Sequence, residues 1–479
     1  MLNQSVDNQV SQPSNQPSNK KIALVLFHND LRVNDNGTLL KAAELTRDNN
    51  GRLLCVYAPD LADELAEQTS KQLYHFDEMG QARAQFLHES LVDLDKSLQR
   101  LGNRLLCLTS KTLSNGSFQP TLETFAQLCQ LIEQQQVTDI CVSQTADYNQ
   151  NQAYDALQNK YPQIGWHAQS ISTLFATLPT DDLPKSFTQF RKKVESDYNL
   201  LTAENDLKIE QMPETLSPMP DNMINNHQYF LKQDADNPSQ QHPQKNSEFK
   251  GGETSAINHL DHYFESEAPS TYKTTRNALD DWTHSTKFSA WLANGTLSVK
   301  VLLNRLRHYE RNVIANESTY WIWFELLWRE YFYWYAVTHQ QKLFWFKGIA
   351  QHAPSTQFDK TRLEQWQMGT TTYPIVNACM HQLKTTGYMS NRGRQIVASC
   401  FIHELGLDWR HGASYFEQHL IDYDVASNWG NWQYLAGVGA DPRGCRQFNL
   451  IKQTQQHDPN RIFIDKWQGN EAINNASKF

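Results

Sequence analysis

Cysteine is too sparse and scattered in this chain to build a framework. The seven residues (Cys55, Cys107, Cys129, Cys141, Cys379, Cys400 and Cys445) never lie closer than twelve positions apart. That spacing excludes a CxxC metal knuckle, argues against a disulfide scaffold, and fits reduced thiols in a cytosolic protein. No G-x-G-x-x-G turn follows the first apolar run; HNDLRVNDNGTLL stands there instead, which disfavours ordinary dinucleotide binding at that turn. No charge of one sign dominates. Lys and Arg total 43 against 52 Asp and Glu, a formal net charge of −9, so coating nucleic acid by bulk charge is disfavoured, though a local basic patch is not. No apolar segment opens the chain: residues 1–20 are Gln, Asn, Ser and Pro, with QPSN nearly repeated, and read as a disordered tail. No long apolar run survives uninterrupted either. The most membrane-like stretch, WIWFELLWREYFYWYAV at 321–337, is broken by Glu325, Arg329 and Glu330, charges costly against lipid, and reads as a buried helix.

Aromatic residues make up 11% of the chain, with 13 Trp, enough for a large core although overall hydrophobic content is only 39%. The tryptophans also divide the sequence: Trp166 is the only one before residue 280, and twelve fall between Trp282 and Trp467. Before the divide the pattern is α/β. KIALVLFH (21–28) is a continuous apolar run of the buried parallel-strand kind, repeated at 53–57, 104–109 and 137–142. Between the second and third, residues 71–101 carry Phe86, Leu87, Leu91, Leu94 and Leu98 on one helical stripe. Strand and helix alternating at this length imply a doubly wound parallel sheet. Residues 205–250 turn rich in Asn, Gln, Pro and Asp without periodicity, as a linker or surface loop does. The expected organisation is a tail (1–20), an α/β domain (21–170), an interdomain linker (171–254) and an all-α domain (255–479).

Four clusters in the helical half carry candidate chemistry. STKFS, 285–289, offers hydroxyls and a Lys to a phosphate, or simply caps the helix of Trp291. Glu325, Trp328 and Arg329 share one helical face, as a functional group or as an intrahelical ion pair beside a core Trp. Arg392 and Arg394 lie in a stretch, 365–403, free of Asp and Glu, a polyanion-facing surface or a solvated basic face. Asp422, Asp424, Asn428, Trp429, Trp432 and Tyr434 follow. Two carboxylates without a nearby His or Cys partner argue against a metal; an Arg–Asp pair with an Asn reading a planar heterocycle competes with a loop cap before core aromatics.

Together, and in this order, the clusters resemble the photolyase/cryptochrome family, and within it the DASH-type cryptochromes. FHNDLRVNDNGTL resembles the family's first strand and turn. LPTDDLPKSFTQFRKKVE (178–195), GGETSAINHLDHYF (251–264), STKFSAWLANGTLS, FELLWREYF, YPIVNACMHQLKTTGYMSNRGRQIVAS, DWRHGASYFEQHLIDYDVASNWGNWQY and DPRGCRQFN continue the likeness from about 21 to 467. Asn-Arg-Gly-Arg-Gln at 391–395 and Tyr434 are the features that resemble the DASH type rather than ordinary photolyases.

The resemblance implies FAD held non-covalently in the helical domain. Tyr272 and Ser285, Thr286, Lys287, Phe288 and Ser289 match its phosphate contacts, and Arg329 belongs to the same cofactor-binding set. Arg394 and Asp422 match the pair along the flavin, Asp424 a second carboxylate, and Asn428 the residue facing flavin N5. The implied activity is that of a deoxyribodipyrimidine photolyase: under blue or UV-A light, electron transfer from reduced FAD splits a cyclobutane pyrimidine dimer, preferentially in single-stranded DNA. Glu325 matches the carboxyl group on the dimer, Trp328 and Tyr434 the aromatic walls, and Arg392 a backbone-phosphate contact. Trp432 and Trp409 match the first two members of an electron path. Three positions depart from the family: Thr356 occupies the third place of that path, leaving Trp409 or another aromatic such as Trp345 as its end; Asn377 replaces a common Asp; and Asp147 stands where DASH members grip an antenna folate, 5,10-methenyltetrahydrofolate, with Glu. The expected partner is UV-damaged single-stranded DNA; no membrane, no metal, a monomer and a cytoplasmic location complete the reading. The alternative is a photoreceptor or DNA-binding regulator with little or no repair, which an intact Glu325 and Trp328, and the lack of a long extension after Trp467, disfavour.

Overall fold

The structure is a computed structural model that describes residues 21–47, 50–59, 61, 79–108, 111–112, 118–119, 124–197, 207–224, 248–350, 352–440 and 446–470. Five strands, β1 (Ile22–Phe27), β2 (Arg52–Tyr57), β3 (Leu105–Cys107), β4 (Asp139–Ser143) and β5 (Gly165–Gln169), form one sheet in the order β3-β2-β1-β4-β5. All four pairings are parallel, as a doubly wound sheet requires. Every residue of β1 is buried because the sheet is covered on both faces. Leu24, Leu26, Leu54 and Val56 face one core, while Ala23, Val25, Phe27 and Cys55 face the other. The covering helices are α1 (Gly37–Leu45), α2 (Gln81–Arg100), α3 (Thr124–Gln135) and α4 (Tyr148–Lys160). The apolar stripe of α2 holds: Phe86, Leu91, Leu94 and Leu98 are buried. The rest of the span read as helical, 71–78, lies outside the described residues. Strand β5 escaped notice because GWHAQ is half-exposed at the sheet edge and shows no apolar run.

The stretch read as a linker carries structure: α5 (Phe187–Asp197) lies within it and packs on the helical half through Phe187. There follow α6 (Glu253–Glu265), α7 (Ala268–Thr275), α8 (Ser289–Ala293), α9 (Val299–Asn312) and α10 (Glu317–His339). Then come α11 (Lys360–Met368), α12 (Pro374–Thr386), α13 (Asn391–Ser399), α14 (Trp409–His419) and α15 (Val425–Leu435). The aromatic run at 321–337 is the body of α10. A capping box starts it: Asn316 accepts from the Ser318 and Thr319 amides at 2.8 and 3.1 Å, and Thr319 Oγ1 accepts from the Asn316 amide at 3.0 Å. Among the described residues no helix is long and apolar enough to cross a membrane.

The DLRVNDNG segment joins the two halves. Arg32, 2% exposed, donates to the carbonyls of Asp35 and Ile171 (both 3.0 Å) and of Gly295 (2.8 Å). Gly295 has φ +71°, and a Cβ there would strike the Asn29 backbone, so only glycine lets these two segments approach this closely. Glu253, at the start of α6, accepts from the Val33 and Asn34 amides at 2.8 and 2.9 Å. These contacts hold the sheet's C-terminal edge against the helical half.

Candidate functional site

A cavity of about 290 Å³ opens among α7, the 285–289 loop, α10, α13 and the loop into α15. Thirteen of the residues singled out in sequence surround it: Tyr272, the five of 285–289, Glu325, Arg329, Arg394, Asp422, Asp424, Asn428 and Trp432.

Lys287 stands on one wall. It is 7% exposed with φ +56°, a left-handed conformation that costs a non-glycine residue roughly 1–3 kcal/mol and needs strong surroundings to persist. Its Nζ donates to the Asp281 carbonyl and Ser285 Oγ, both at 2.9 Å. Among the described residues no carboxylate forms an ion pair with it. A buried cation with only neutral partners is an anion acceptor. The loop around it is fixed from behind by His259, whose Nε2–H donates to the Thr286 carbonyl at 2.8 Å; burial lowers the pKa of this histidine and keeps it neutral. So 285–289 is more than a cap.

Across the cavity, Arg394 Nη2 donates to both oxygens of Asp422 at 2.9 and 2.7 Å, and its Nε donates to the Met389 carbonyl at 2.9 Å. The Asp422 side chain is 2% exposed. Tyr388 lies between the two cations, 5.1 Å from Lys287 and 5.6 Å from Arg394. Asp424 caps α15, accepting from the Ser427 amide at 2.7 Å, so the cap reading and the cavity reading both hold for it. Asn428 is anchored through Nδ2 to the Ala413 carbonyl at 2.9 Å. Leu292, Phe288, Leu326 and Trp432 supply apolar wall. A buried cation, a fixed guanidinium–carboxylate pair, an anchored amide and apolar faces suit a ligand that joins phosphates to planar heterocycles.

Glu325 and Arg329 do not form the intrahelical pair that their spacing allows. Glu325 is instead paired with Arg276, just past α7, a residue that the sequence reading missed. Arg329 donates to the Ser172 carbonyl at 2.6 Å and so ties α10 to the segment leaving the sheet. The cause is geometric: α7 runs alongside α10 and presents a closer guanidinium to the carboxylate.

Trp328, Arg392 and Tyr434 are not part of the cavity wall. Trp328 meets Tyr434 edge to face at 6.1 Å, but Phe187 of α5 is stacked on it at 3.7 Å. Arg446 lies 4.8 Å over the Tyr434 ring. Arg392 Nη2 donates to Asn277 Oδ1 at 3.0 Å, beside Arg276, which lowers its pKa further after burial has done so. Thus the acid-free stretch is split: Arg394 turns inward to Asp422, while Arg392 joins Arg276 on the α7 side.

Trp409 is fully buried, and its N–H donates to the Phe346 carbonyl at 3.0 Å. Trp432 packs onto α14 at Gly412, three residues beyond Trp409, where any Cβ would strike its ring. Thr356 is half-buried. Asp147 lies in the other half of the chain as the N-cap of α4, accepting from the Asn149 amide at 2.9 Å. Asn377 is fully buried and saturated. It accepts from the Thr371 amide (2.9 Å) and hydroxyl (2.7 Å) and donates to the carbonyls of Thr371 (2.9 Å) and Gly469 (3.1 Å). Among the described residues no group of His, Cys, Asp and Glu is arranged to hold a metal ion.

Comparison with known proteins returns the same picture. The family described as "DNA photolyase" matches residues 23–214, and that described as "FAD binding domain of DNA photolyase" matches 321–472. The chain is 45% identical over 453 residues to Cryptochrome DASH of Idiomarina loihiensis, covering 94% of this chain and 93% of that protein. It is 46% identical to Cryptochrome DASH of Vibrio parahaemolyticus, covering 95% and 94%. Among solved structures it resembles a Synechocystis cryptochrome, with a TM-score of 0.79, 34% identity and coverage of 93% and 88%. A class III photolyase from Agrobacterium tumefaciens, at 24% identity, shares the fold with a TM-score of 0.74 over 96% and 88% of the chains.

Proposed function

We infer the function from kinship and site together: the chain belongs to the DNA photolyase/cryptochrome family, in its Cryptochrome DASH branch, and FAD is its cofactor. We propose that it is a light-dependent lyase that splits cyclobutane pyrimidine dimers, preferentially in single-stranded DNA. One observation carries the reading. Glu325 lines the same cavity as Lys287, the Arg394–Asp422 pair and Asn428, so a polarising carboxylate and a cofactor cradle share one space. Lys287 and the 285–289 hydroxyls would hold the FAD phosphates; Arg394, Asp422 and Asn428 would border the flavin. Bound FAD supplies light absorption and the electron. The protein's part is placement and electrostatics. Glu325 hydrogen-bonds the dimer bases, and its pair with Arg276 holds the carboxylate in place until the bases arrive. Arg276 and Arg392, adjacent and both cationic, favour a strand phosphate beside them.

The single-strand preference follows from the aromatic walls. Flipping a dimer out of duplex costs a few kcal/mol, least from an unpaired strand, and each aromatic stack returns about 1–3 kcal/mol. Trp328 already has Phe187 on one face, and Tyr434 has Arg446. Walls partly covered in this way return too little to open duplex. The same covering of Trp328 is the one feature that favours the second reading, light sensing without repair. The test is dimer splitting under blue light with FAD-loaded protein, on a dimer in an oligonucleotide offered single-stranded or paired. Repair of the single strand well above duplex supports the proposal; equal repair of both removes the covered-wall argument, and no repair of either favours the sensor.

A further inference from the structure

Where the family likeness puts the third member of the electron path, Thr356 offers no aromatic ring. Its hydroxyl is buried and has no hydrogen-bond partner among the described residues. The path therefore ends at Trp409 or leaves it sideways, and the surroundings of Trp409 decide which. The neighbouring indole is Trp429, with ring centroids 5.8 Å apart and planes at 77°. Phe344 packs edge to face on Trp429 at 4.9 Å, and Trp429 is 5% exposed.

The indole N–H partners distinguish the three tryptophans gathered here. Trp366, 6.3 Å from Trp432, donates to the Val397 carbonyl at 3.1 Å. Trp409 donates to the Phe346 carbonyl at 3.0 Å. Trp429 alone of the three donates to a carboxylate, Glu417 Oε2, at 3.2 Å. An indole that has lost an electron is a much stronger N–H acid than the resting ring. A carbonyl oxygen cannot keep that proton; a carboxylate can.

We propose that Trp429 is the terminal donor of the path in this chain and that Glu417 receives its proton. The proposal rests on Trp432 and Trp409 being the first two members. One electron passes from Trp432 to the light-excited cofactor, one from Trp409 to Trp432, and one from Trp429 to Trp409. The Nε1 proton of Trp429 moves to Glu417 Oε2. Trp432 and Trp409 are restored, leaving a neutral indolyl radical on Trp429 and a carboxylic acid at Glu417. An external thiol supplies the electron that returns the radical to indole, and Glu417 gives the proton back. Charge separation is thereby held by a proton shift rather than by a third hop to the surface.

The test is transient absorption and light-minus-dark infrared spectroscopy on the FAD-loaded protein, with melting curves of every variant. Wild type should form a deprotonated indolyl radical together with the carbonyl-stretch band of a newly protonated carboxyl group. Glu417→Gln should lose that band, leave a protonated radical cation, and shorten the radical lifetime by about tenfold or more, one decade of rate per 1.4 kcal/mol of lost trapping. Trp429→Phe, which keeps the packing, should lose the deprotonated radical; Trp345→Phe should change nothing. An unchanged radical and lifetime in Trp429→Phe, or an unchanged infrared band in Glu417→Gln, overturns the proposal and leaves Trp432 and Trp409 in place. A wild-type protein with no indolyl radical at all overturns both.

Discussion

Replacing Asp422 with Ala tests how firmly the cofactor cradle is built. The carboxylate, 2% exposed, receives two hydrogen bonds from Arg394 Nη2, and the Arg394 side chain is 26% exposed. Removing one partner of a buried pair costs roughly 3–5 kcal/mol because the other charge stays behind. Arg394 keeps the Met389 carbonyl and some water, which puts the expected loss near the low end, about 3 kcal/mol. At ~2–4 °C per kcal/mol for a unit of some 150–250 residues, the cofactor-free variant should melt roughly 6–12 °C below cofactor-free wild type. A second difference should appear when FAD is added. Ligand at a hundred times its dissociation constant stabilises the native state by about 2.7 kcal/mol, so wild type should gain a further rise in Tm that the variant lacks. The assay is thermal melting of both proteins with and without FAD. A variant that melts with wild type and shows the same FAD-dependent rise would refute the assignment of this pair to the cradle.

Four further outcomes follow from the geometry. Asn377→Asp would set a carboxylate oxygen against the Thr371 and Gly469 carbonyls, raising its folded pKa. The variant should therefore be nearly stable below the ordinary carboxylate range and lose roughly 1–3 kcal/mol as pH rises through it, measured by denaturant titration. Glu330, fully buried and accepting from the Leu174 amide at 2.7 Å, has its pKa pushed up by burial to about 7. A raised folded pKa means stability present below about 4.5 and lost as pH rises through about 7, so Glu330→Gln should be the more stable protein at pH ~8, by on the order of 3 kcal/mol. Arg276→Gln should weaken binding of single-stranded oligonucleotide and lower the slope of log affinity against log salt by about one, read by fluorescence anisotropy; an unchanged slope would keep Arg276 off the strand. Thr356→Trp, by giving the charge on Trp409 a second exit beside Trp429, should speed steady photoreduction with an external thiol while leaving repair by pre-reduced protein unchanged, and a changed repair rate would mean that position 356 is misplaced.

Much of the fold was legible because its signals are local. A run such as IALVLF is apolar throughout because the strand is buried on both faces, and the stripe of α2 repeats at helical spacing because only one face meets the sheet. Strand β5 carries no such signal, since its residues are half-exposed at an edge. The cavity residues were legible only together: Lys287, Arg394, Asp422 and Asn428 are each as well explained by a cap or an ion pair until the fold brings them around one space. Arg276 lies 49 residues before Glu325, and no sequence spacing reports the adjacency of α7 and α10. The i, i+4 rule pointed to Arg329 instead, a partner that the backbone of Ser172 had already taken. Asn377 resisted a sequence account because its four hydrogen bonds run to Thr371, six positions back, and to Gly469, 92 positions on.

The central claim is that Glu325 and the cofactor cradle work in one cavity to split a pyrimidine dimer. Its most direct measurement compares blue-light repair of a single dimer in oligo(dT) by FAD-loaded wild type and Glu325→Ala. Wild type should split the dimer in the light and not in the dark. The variant should retain FAD and its spectrum yet split the dimer roughly tenfold more slowly or worse, the effect of a lost charged hydrogen bond of ~1.5–3 kcal/mol. Equal rates for the two proteins, or a wild type inert toward the dimer in the light, would contradict it.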